Sequence, residues 1–161
     1  TPSAALGSEM CDISDLSRFH VSSENERKKC FRMSQMASST MPCCSTARGG
    51  KVIKVVQHHD EGGANKKYLN KGNHVIINHG DGTYAAYWHL MLNGSLVKRG
   101  DVVKTGEAIA RAGSTGYSSM SHLHFMVYRY DKKGYRKTFP TKFYTSKGEI
   151  QLKSYRRYKH P

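Results

Sequence analysis

The sequence predicts an all-β protein with a compact, sandwich-like or barrel-like core and an irregular N-terminal segment. Short runs of β-branched residues begin after Gly49, and glycine-containing turns separate them. Glycines then recur at positions 94, 100, 106 and 113 between pairs of aliphatic residues. With 161 residues and 10 tyrosines, the chain is long enough for one folded domain with a real core and too short for two comfortable ones.

The strand pattern is clearest between residues 51 and 90. Residues 51–57 are rich in β-branched side chains and predict a strand, and a glycine-rich loop follows at 60–64. Residues 74–79 predict the next strand, and the sequence at 79–83, His-Gly-Asp-Gly-Thr, is typical of a tight hairpin turn. We therefore expect residues 83–90 to form the returning strand.

The second half of the chain continues in the same way. The recurring glycines predict sharp chain reversals between short strands. Residues 121–130 predict a further strand, which two histidines enter. We expect the basic C-terminal part to add edge strands at about 138–144 and 149–153.

Composition divides the chain into three parts. Residues 1–46 are rich in serine, methionine and charged residues and show little periodicity, so we expect an irregular segment there. Residues 47–145 would form the folded domain, and 146–161 would form a basic tail or an edge strand. The four cysteines lie in the first 44 residues, and their spacing fits no zinc-finger or redox pattern.

The strong positive charge restricts the classes of partner that we expect. A net charge of +14 attracts polyanions, namely nucleic acid, anionic lipid or the acidic polymers of a bacterial envelope. No apolar run is long enough to predict a membrane span, and the first ten residues lack the features of a signal peptide. The tail mixes aromatic and basic residues as single-strand nucleic-acid binders do, but a solvated terminus or a patch for anionic wall polymer explains it equally well. We therefore regard nucleic acid as an unlikely partner.

Three histidines near strand ends are candidates for chemistry. Side chains alternate along a strand, so His122 and His124 would share one side while Leu123 enters the core. His89 ends another predicted strand, and a shallow metal site on a sheet needs such a set. A chance pair is the competing interpretation, because the chain has nine histidines. We expect the segment 58–60, His-His-Asp, to be a solvated loop, since adjacent side chains diverge.

Several motifs occur together and in order. The chain contains a Tyr-x-His-Leu strand end in "NHVIINHGDGTYAAYWHL", and Gly-x-Thr-Gly followed by His-Leu-His-Phe in "SLVKRGDVVKTGEAIARAGSTGYSSMSHLHFMVYR". Over about residues 46–130 it resembles the lysostaphin/LytM-type zinc endopeptidases, which cut peptide cross-links in peptidoglycan. The resemblance implies the β core of the LytM/duplicated-hybrid type. It also implies an exported protein of the periplasm, the cell envelope or the medium.

The resemblance also implies roles for individual residues. His124 would be a ligand of one zinc ion, and His89 and His122 would work on the attacking water and the oxyanion. Tyr87 and Tyr117 are candidates for lining the substrate groove near His89, and packing in the core or at the rim is an equally good interpretation of both. The implied partner is peptidoglycan or another anionic envelope polymer.

One part of the family pattern is missing. Members of the family supply two more zinc ligands from a His-x3-Asp motif upstream of the first core strand, and "CFRMSQMASSTMPCCSTARGG" contains neither His nor Asp. One explanation is that His20 and Glu24 of "HVSSE" replace the pair. Others are that the protein is a degenerate member, or that residues 10–46 are an altered segment or a displaced reading frame. Thiolate ligands from the cysteines rank last.

Two functions of different class therefore remain. The first is a zinc metallopeptidase that cleaves peptide cross-links of peptidoglycan. The second is a degenerate, non-catalytic LytM-like module that binds cell wall or activates another hydrolase. A biotinyl- or lipoyl-carrier domain has a similar hairpin rhythm, but it leaves the histidines unexplained and is rejected.

Overall fold

The computed structural model describes residues 19–22, 30–33, 43–145 and 148–151. These residues form strands and one short 3-10 helix, Lys66–Tyr68. The strands are β1 (Phe19–Ser22), β2 (Cys30–Met33), β3 (Cys43–Ser45), β4 (Gly50–Val56), β5 (Gly62–Gly63), β6 (His74–Asn78), β7 (Thr83–Trp88), β8 (Leu90–Ser95), β9 (Val102–Val103), β10 (Ala108–Ala112), β11 (Gly116–Tyr117), β12 (His124–Tyr130), β13 (Arg136–Thr138), β14 (Lys142–Thr145) and β15 (Gly148–Gln151).

Two antiparallel sheets dominate the fold. A six-stranded sheet has the order β13-β12-β7-β6-β4-β9, and a three-stranded sheet has the order β3-β10-β8. The remaining strands pair as β1-β2, β14-β15 and the parallel pair β5-β11. The predicted all-β fold class is confirmed.

The main core lies between these two sheets. The six-stranded sheet contributes buried side chains such as Ile77, Tyr87 and Phe125, and the smaller sheet contributes Leu90 and Ile109. Burying an aliphatic or aromatic side chain of this size stabilises the fold by about 2 kcal/mol. The inner face of the large sheet is therefore fixed against the small sheet.

The opposite face of the large sheet, which we call the outer face, carries a second cluster. Ile76, Ala86 and Tyr128 are buried there, and Trp88 and Met126 pack against them. Directly opposed residues on neighbouring strands share a face, and the pairing of β12, β7 and β6 places Met126, Ala86 and Ile76 in one row. The histidine at the start of β12 belongs to this outer face.

Most predicted strands are confirmed, with shifted ends. Residues 51–57 and 74–79 correspond to β4 and β6, and the hairpin turn closes with a hydrogen bond of 3.0 Å from His79 N–H to the Thr83 carbonyl. The predicted strand 121–130 begins only at residue 124, as β12. The strands predicted at about 138–144 and 149–153 correspond to β14 and β15, which pair with each other as a separate two-stranded sheet. The edge of the six-stranded sheet is formed by β13.

The N-terminal segment contributes strands of its own. β1 and β2 form an antiparallel pair, β2 lies against β12, and β3 belongs to the three-stranded sheet. β3 lies within residues 1–46, which the sequence predicts to be irregular. The predicted start of the folded domain at residue 47 stays a prediction. Cys43 is disulfide-bonded, whereas Cys44 is a free and buried thiol. Within the described ranges, no helix is long and apolar enough to cross a membrane.

Candidate active site

His89 lies at a break between two strands. β7 ends at Trp88 and β8 begins at Leu90, and His89 between them has a backbone φ of 64°. This left-handed conformation is uncommon for residues other than glycine and persists only where surrounding contacts hold it. Here the His89 carbonyl accepts a hydrogen bond of 2.9 Å from the Gly113 N–H. The predicted continuous strand 83–90 is therefore wrong at its end, because the turn at His89 interrupts it.

The His89 imidazole is buried in one tautomer. Its Nδ1 lies 2.7 Å from the Thr115 carbonyl oxygen. A carbonyl can only accept, so Nδ1 carries the proton and Nε2 carries the lone pair. Burial lowers the pKa of His89 to about 4, and the Thr115 hydrogen bond only partly opposes this shift. At neutral pH, His89 is thus a neutral imidazole that can accept a proton at Nε2.

His122 is oriented in the same way by the loop before β12. Its Nδ1 lies 2.8 Å from the Met120 carbonyl oxygen and 3.1 Å from Ser118 Oγ. The Ser118 hydroxyl itself donates to the Met120 carbonyl at 2.6 Å. Nδ1–H of His122 therefore donates to Met120, and Nε2 is again the nitrogen with the lone pair.

His124 is the first residue of β12 and lies opposite Trp88 of β7. Leu123, the residue before it, packs against the main core between the sheets. The predicted alternation is confirmed at these two positions, because His124 belongs to the outer face and Leu123 to the inner one.

The three predicted histidines come together. The ring centroids of His89 and His122 are 4.6 Å apart, and those of His89 and His124 are 5.7 Å apart. Gly113 joins two of them through the main chain, since its N–H donates to the His89 carbonyl and its own carbonyl accepts from His122 N–H at 3.2 Å. A Cβ at Gly113 would lie only 2.7 Å from the Met91 nitrogen, so only glycine fits this position without a shift.

A buried polar network supports the turn that carries His89. The Thr115 hydroxyl donates to the Leu90 carbonyl at 2.7 Å and accepts from Asn73 N–H at 3.0 Å. Asn73 is fully buried, and its side chain bonds both the N–H and the carbonyl of His59, at 3.0 and 2.7 Å. Sequence reasoning missed both supporting residues. Thr115 lies in the Gly-x-Thr-Gly motif, which is a signal that could have identified it, whereas no sequence signal marks Asn73.

His74 is a further histidine beside the site. It lies opposite Trp88 across β6 and β7, and the two rings stack at 4.0 Å. Its Nδ1 lies 2.9 Å from the Gly72 carbonyl, and burial lowers the pKa of His74. His124, Trp88 and His74 therefore form one row of rings across the outer face of the sheet.

The two tyrosines predicted to line the groove differ in their exposure to solvent. Tyr87 is only 1% exposed, packs on Phe125 in the main core and accepts a hydrogen bond of 2.8 Å from the Ala47 N–H. The prediction that Tyr87 lines the groove is therefore wrong, because its side chain lies on the inner face. Tyr117 is exposed and lies between Thr115 and Ser118, the residues that hold His89 and His122. Its place in a groove stays a prediction.

The described residues do not complete a metal site by themselves. Among them, no three His, Cys, Asp or Glu side chains are grouped to hold a metal ion. His20 lies in β1, and β1 pairs with β2, which lies against the strand that carries His124. Glu24 lies outside the described residues. The part of the site that the structure does describe is the set of three imidazoles and their supports.

Comparisons with known proteins identify the family that the chain resembles. A profile of Peptidase family M23 matches residues 37–136. The chain is 42% identical over 78 residues to the peptidoglycan DD-endopeptidase ShyB of Vibrio cholerae, a match that covers 48% of this chain and 16% of that protein. It is 44% identical over 54 residues to lysostaphin of Staphylococcus simulans, covering 34% of this chain and 11% of that protein. The chain thus matches less than a fifth of the length of either relative.

A solved structure supports the fold. The catalytic domain of the prophage-encoded M23 protein EnpA from Enterococcus faecalis, solved as a point mutant, aligns with a TM-score of 0.55 and 21% identity. The alignment covers 75% of this chain and 88% of that domain. At this identity the likeness concerns the fold alone.

Proposed function

The chain belongs to Peptidase family M23, and on that premise we propose that it is a zinc metallopeptidase that cleaves peptide cross-links of bacterial peptidoglycan. The observation that carries the proposal is the convergence of His89, His122 and His124, with ring centroids 4.6 and 5.7 Å apart around His89. Two of these rings are held in a defined tautomer by main-chain carbonyls.

Each histidine has a distinct task in this proposal. His89 and His122 both carry the lone pair on Nε2, because their Nδ1 atoms donate to main-chain carbonyls. In the proposed reaction they would take a proton from a water or return one to the leaving amine. His124, on the neighbouring strand, would be a zinc ligand. Zinc, when bound, supplies Lewis acidity and lowers the pKa of a coordinated water.

The remaining zinc ligands would come from the N-terminal segment. We propose His20 and Glu24 for this role, because β2, which pairs with the strand that contains His20, lies against β12. The matched family region begins at residue 37 and so leaves out both of them. Zinc content of His20→Ala and Glu24→Gln variants, measured by elemental analysis, tests this assignment directly.

Charge and cysteine chemistry support an exported protein acting on an anionic polymer. The net charge of +14 favours association with the anionic cell wall. Cys43 is disulfide-bonded, and stable disulfides form chiefly outside the reducing cytosol. We therefore propose the periplasm, the cell envelope or the medium as the location, and peptidoglycan as the substrate.

Zymography on peptidoglycan with added zinc tests the activity. We expect clearing by the wild-type chain and none by His122→Ala or His124→Ala. His58→Ala is the matched control, because His58 is an exposed histidine of the loop before β5 and should clear like wild type. Equal clearing by all four proteins would contradict the proposal.

A non-catalytic module is the second candidate. It is favoured by one observation, namely that the described residues group no three side chains suited to hold a metal. In that case the protein would bind cell wall or activate another hydrolase. Stoichiometric zinc in the purified protein supports the peptidase, whereas zinc-free protein that stimulates a partner hydrolase on sacculi supports the module.

A further inference from the structure

The far end of the outer face carries a group of tyrosines that the histidine site does not use. The rings of Tyr84 and Tyr128 stack with centroids 5.4 Å apart, and Tyr130 meets both edge-on at 5.5 and 5.6 Å. We call these three residues the tyrosine platform. The guanidinium of Arg136, on the adjacent strand β13, lies 5.7 Å from the centre of the Tyr128 ring.

The three tyrosines of the platform differ in their exposure to solvent. Tyr128 is 1% exposed and acts as the support on which the others rest, whereas Tyr130 is 50% exposed. Tyr84 is partly exposed, and Arg136 is exposed. Aromatic side chains and a cation are therefore exposed together at one end of the sheet.

The platform is continuous with the histidine site. His124, Met126, Tyr128 and Tyr130 follow one another at every second position of β12, so their side chains lie on the same face. Four to six residues of strand separate His124 from Tyr128 and Tyr130, a distance of about 13 to 20 Å. An extended peptide of about five residues spans that distance.

The charge around the platform is mainly positive. The hairpin of β12 and β13 contains a single acidic residue, Asp131. Its basic residues are Arg129, Lys132, Lys133, Arg136 and Lys137. A polymer that binds this end of the sheet should therefore be anionic.

We propose that the tyrosine platform, with Arg136, binds the glycan strand of peptidoglycan while the peptide attached to that strand extends along the outer face to the histidines. The identity of the polymer rests on the proposed function. The apolar faces of the sugar rings would stack on Tyr130 and Tyr84, and the phenol hydroxyls would meet sugar hydroxyls. Arg136 would pair with a carboxylate of the polymer.

Single-stranded nucleic acid is the competing ligand, since it also combines flat rings with negative charge. The spacing favours the glycan. The platform shares a sheet face with the histidine site at the length of a short peptide, and a peptide-bearing polysaccharide offers both groups at once. Nucleic acid is therefore an outcome that the experiment must separate.

Binding of the full chain to peptide-free glycan strands tests the proposal. We expect Tyr130→Ser to weaken binding about tenfold, as loss of one aromatic stacking contact does. Arg136→Gln should weaken binding and reduce its dependence on salt. The matched controls are Tyr135→Ser, an exposed tyrosine outside the platform, and Arg99→Gln, an exposed arginine before β9. Equal affinities for Tyr130→Ser and Tyr135→Ser, or tighter binding of single-stranded DNA than of glycan at the same ionic strength, would overturn it.

Two further measurements separate this proposal from the peptidase itself. His122→Ala should bind glycan strands as wild type does. Tyr130→Ser should cleave a soluble cross-linked peptide without sugars at the wild-type rate, and intact sacculi more slowly. If the protein binds glycan strands but hydrolyses nothing, the proposed peptidase activity is contradicted and the glycan-binding role of the platform is not. If Tyr130→Ser hydrolyses sacculi as fast as wild type, the role of the platform is contradicted and the peptidase activity is not.

Discussion

The imidazole rings of His89 and His122 lie with their centroids 4.6 Å apart, and the main chain of Gly113 bonds to both residues. His89 closes the end of β7, His122 precedes β12, and Gly113 follows β10. The relative position of the two rings therefore depends on where three segments of main chain meet. Substitutions of the residues that support these segments should therefore change the relative position of the two rings, although the histidines themselves are unchanged.

Thr115→Val should destabilise the protein. The substitution removes the hydroxyl that bonds the Leu90 carbonyl and the Asn73 N–H, both in a buried setting. The Asn73 N–H would lose its partner, and the Leu90 carbonyl would keep only the 3.4 Å bond from Asn73 Nδ2. Loss of a buried hydrogen-bond partner costs about 1–3 kcal/mol of unfolding free energy. Urea unfolding measures the change. Thr115→Ser keeps the hydroxyl and should stay near wild type, and a loss no larger than that of the exposed Thr138→Val would refute the role given to the network.

Gly113→Ala should lower both stability and hydrolysis of sacculi. The new methyl group would lie 2.7 Å from the Met91 nitrogen and 3.0 Å from the Leu90 carbonyl carbon, so the turn after His89 must move. Overpacking of this kind costs about 1–3 kcal/mol. The exposed neighbour Ser114→Ala is the control for both assays. If the two variants behave alike, the close packing at Gly113 does not hold the site.

The stability of the metal-free protein should fall with acid through His89. Its pKa is about 4 in the folded chain and 6.5 in the unfolded reference, so the unfolded state takes up the proton first. The stabilisation is thus fully present above about pH 6.5 and is lost as the pH falls toward 4, by up to about 3 kcal/mol. Urea unfolding in the presence of a chelator at pH 7 and pH 4.5 measures this loss. His89→Gln should show a smaller difference between the two pH values, and an equal difference would contradict the assignment to His89.

Cys44 should resist alkylation in the folded protein. The thiol is 3% exposed, and burial raises its pKa to about 12, so almost no thiolate exists at pH 8. Iodoacetamide without reductant should leave the peptide that contains Cys44 unmodified until urea unfolds the chain. Mass spectrometry of that peptide reports the result. Rapid modification of Cys44 in native buffer would show that this part of the core is open.

Those parts of the site that depend on local pattern could be predicted from the sequence. Alternation along a strand separates Leu123 from His124, and the ordered motifs identify His89 and His122 as their companions. Strands β4 and β6 follow from β-branched runs, and the turn between β6 and β7 follows from its glycines. Each of these patterns involves only neighbouring residues, so it can be recognised in a single sequence.

The wrong predictions lie where distant segments determine the outcome. Tyr87 and His89 are two positions apart, and alternation along a strand predicts one side for both. The left-handed backbone at His89 ends the alternation and leaves Tyr87 in the core. Likewise, Asn73 and Thr115 meet only because the fold brings the start of β6 and the loop after β10 together. No local sequence pattern predicts such contacts.

The most direct test is the release of new amino termini from purified sacculi by the full chain with zinc. Cleavage of a peptide cross-link creates one amino group per bond, so their number rises with time if the protein is a peptidase. We predict steady release by wild type and by His58→Ala, and a rate at least about a hundredfold lower for His122→Ala, the usual loss when a proton-transfer group is removed. No release by zinc-supplemented wild type, or the same rate with His122→Ala, would contradict the assignment of this chain as a peptidoglycan peptidase.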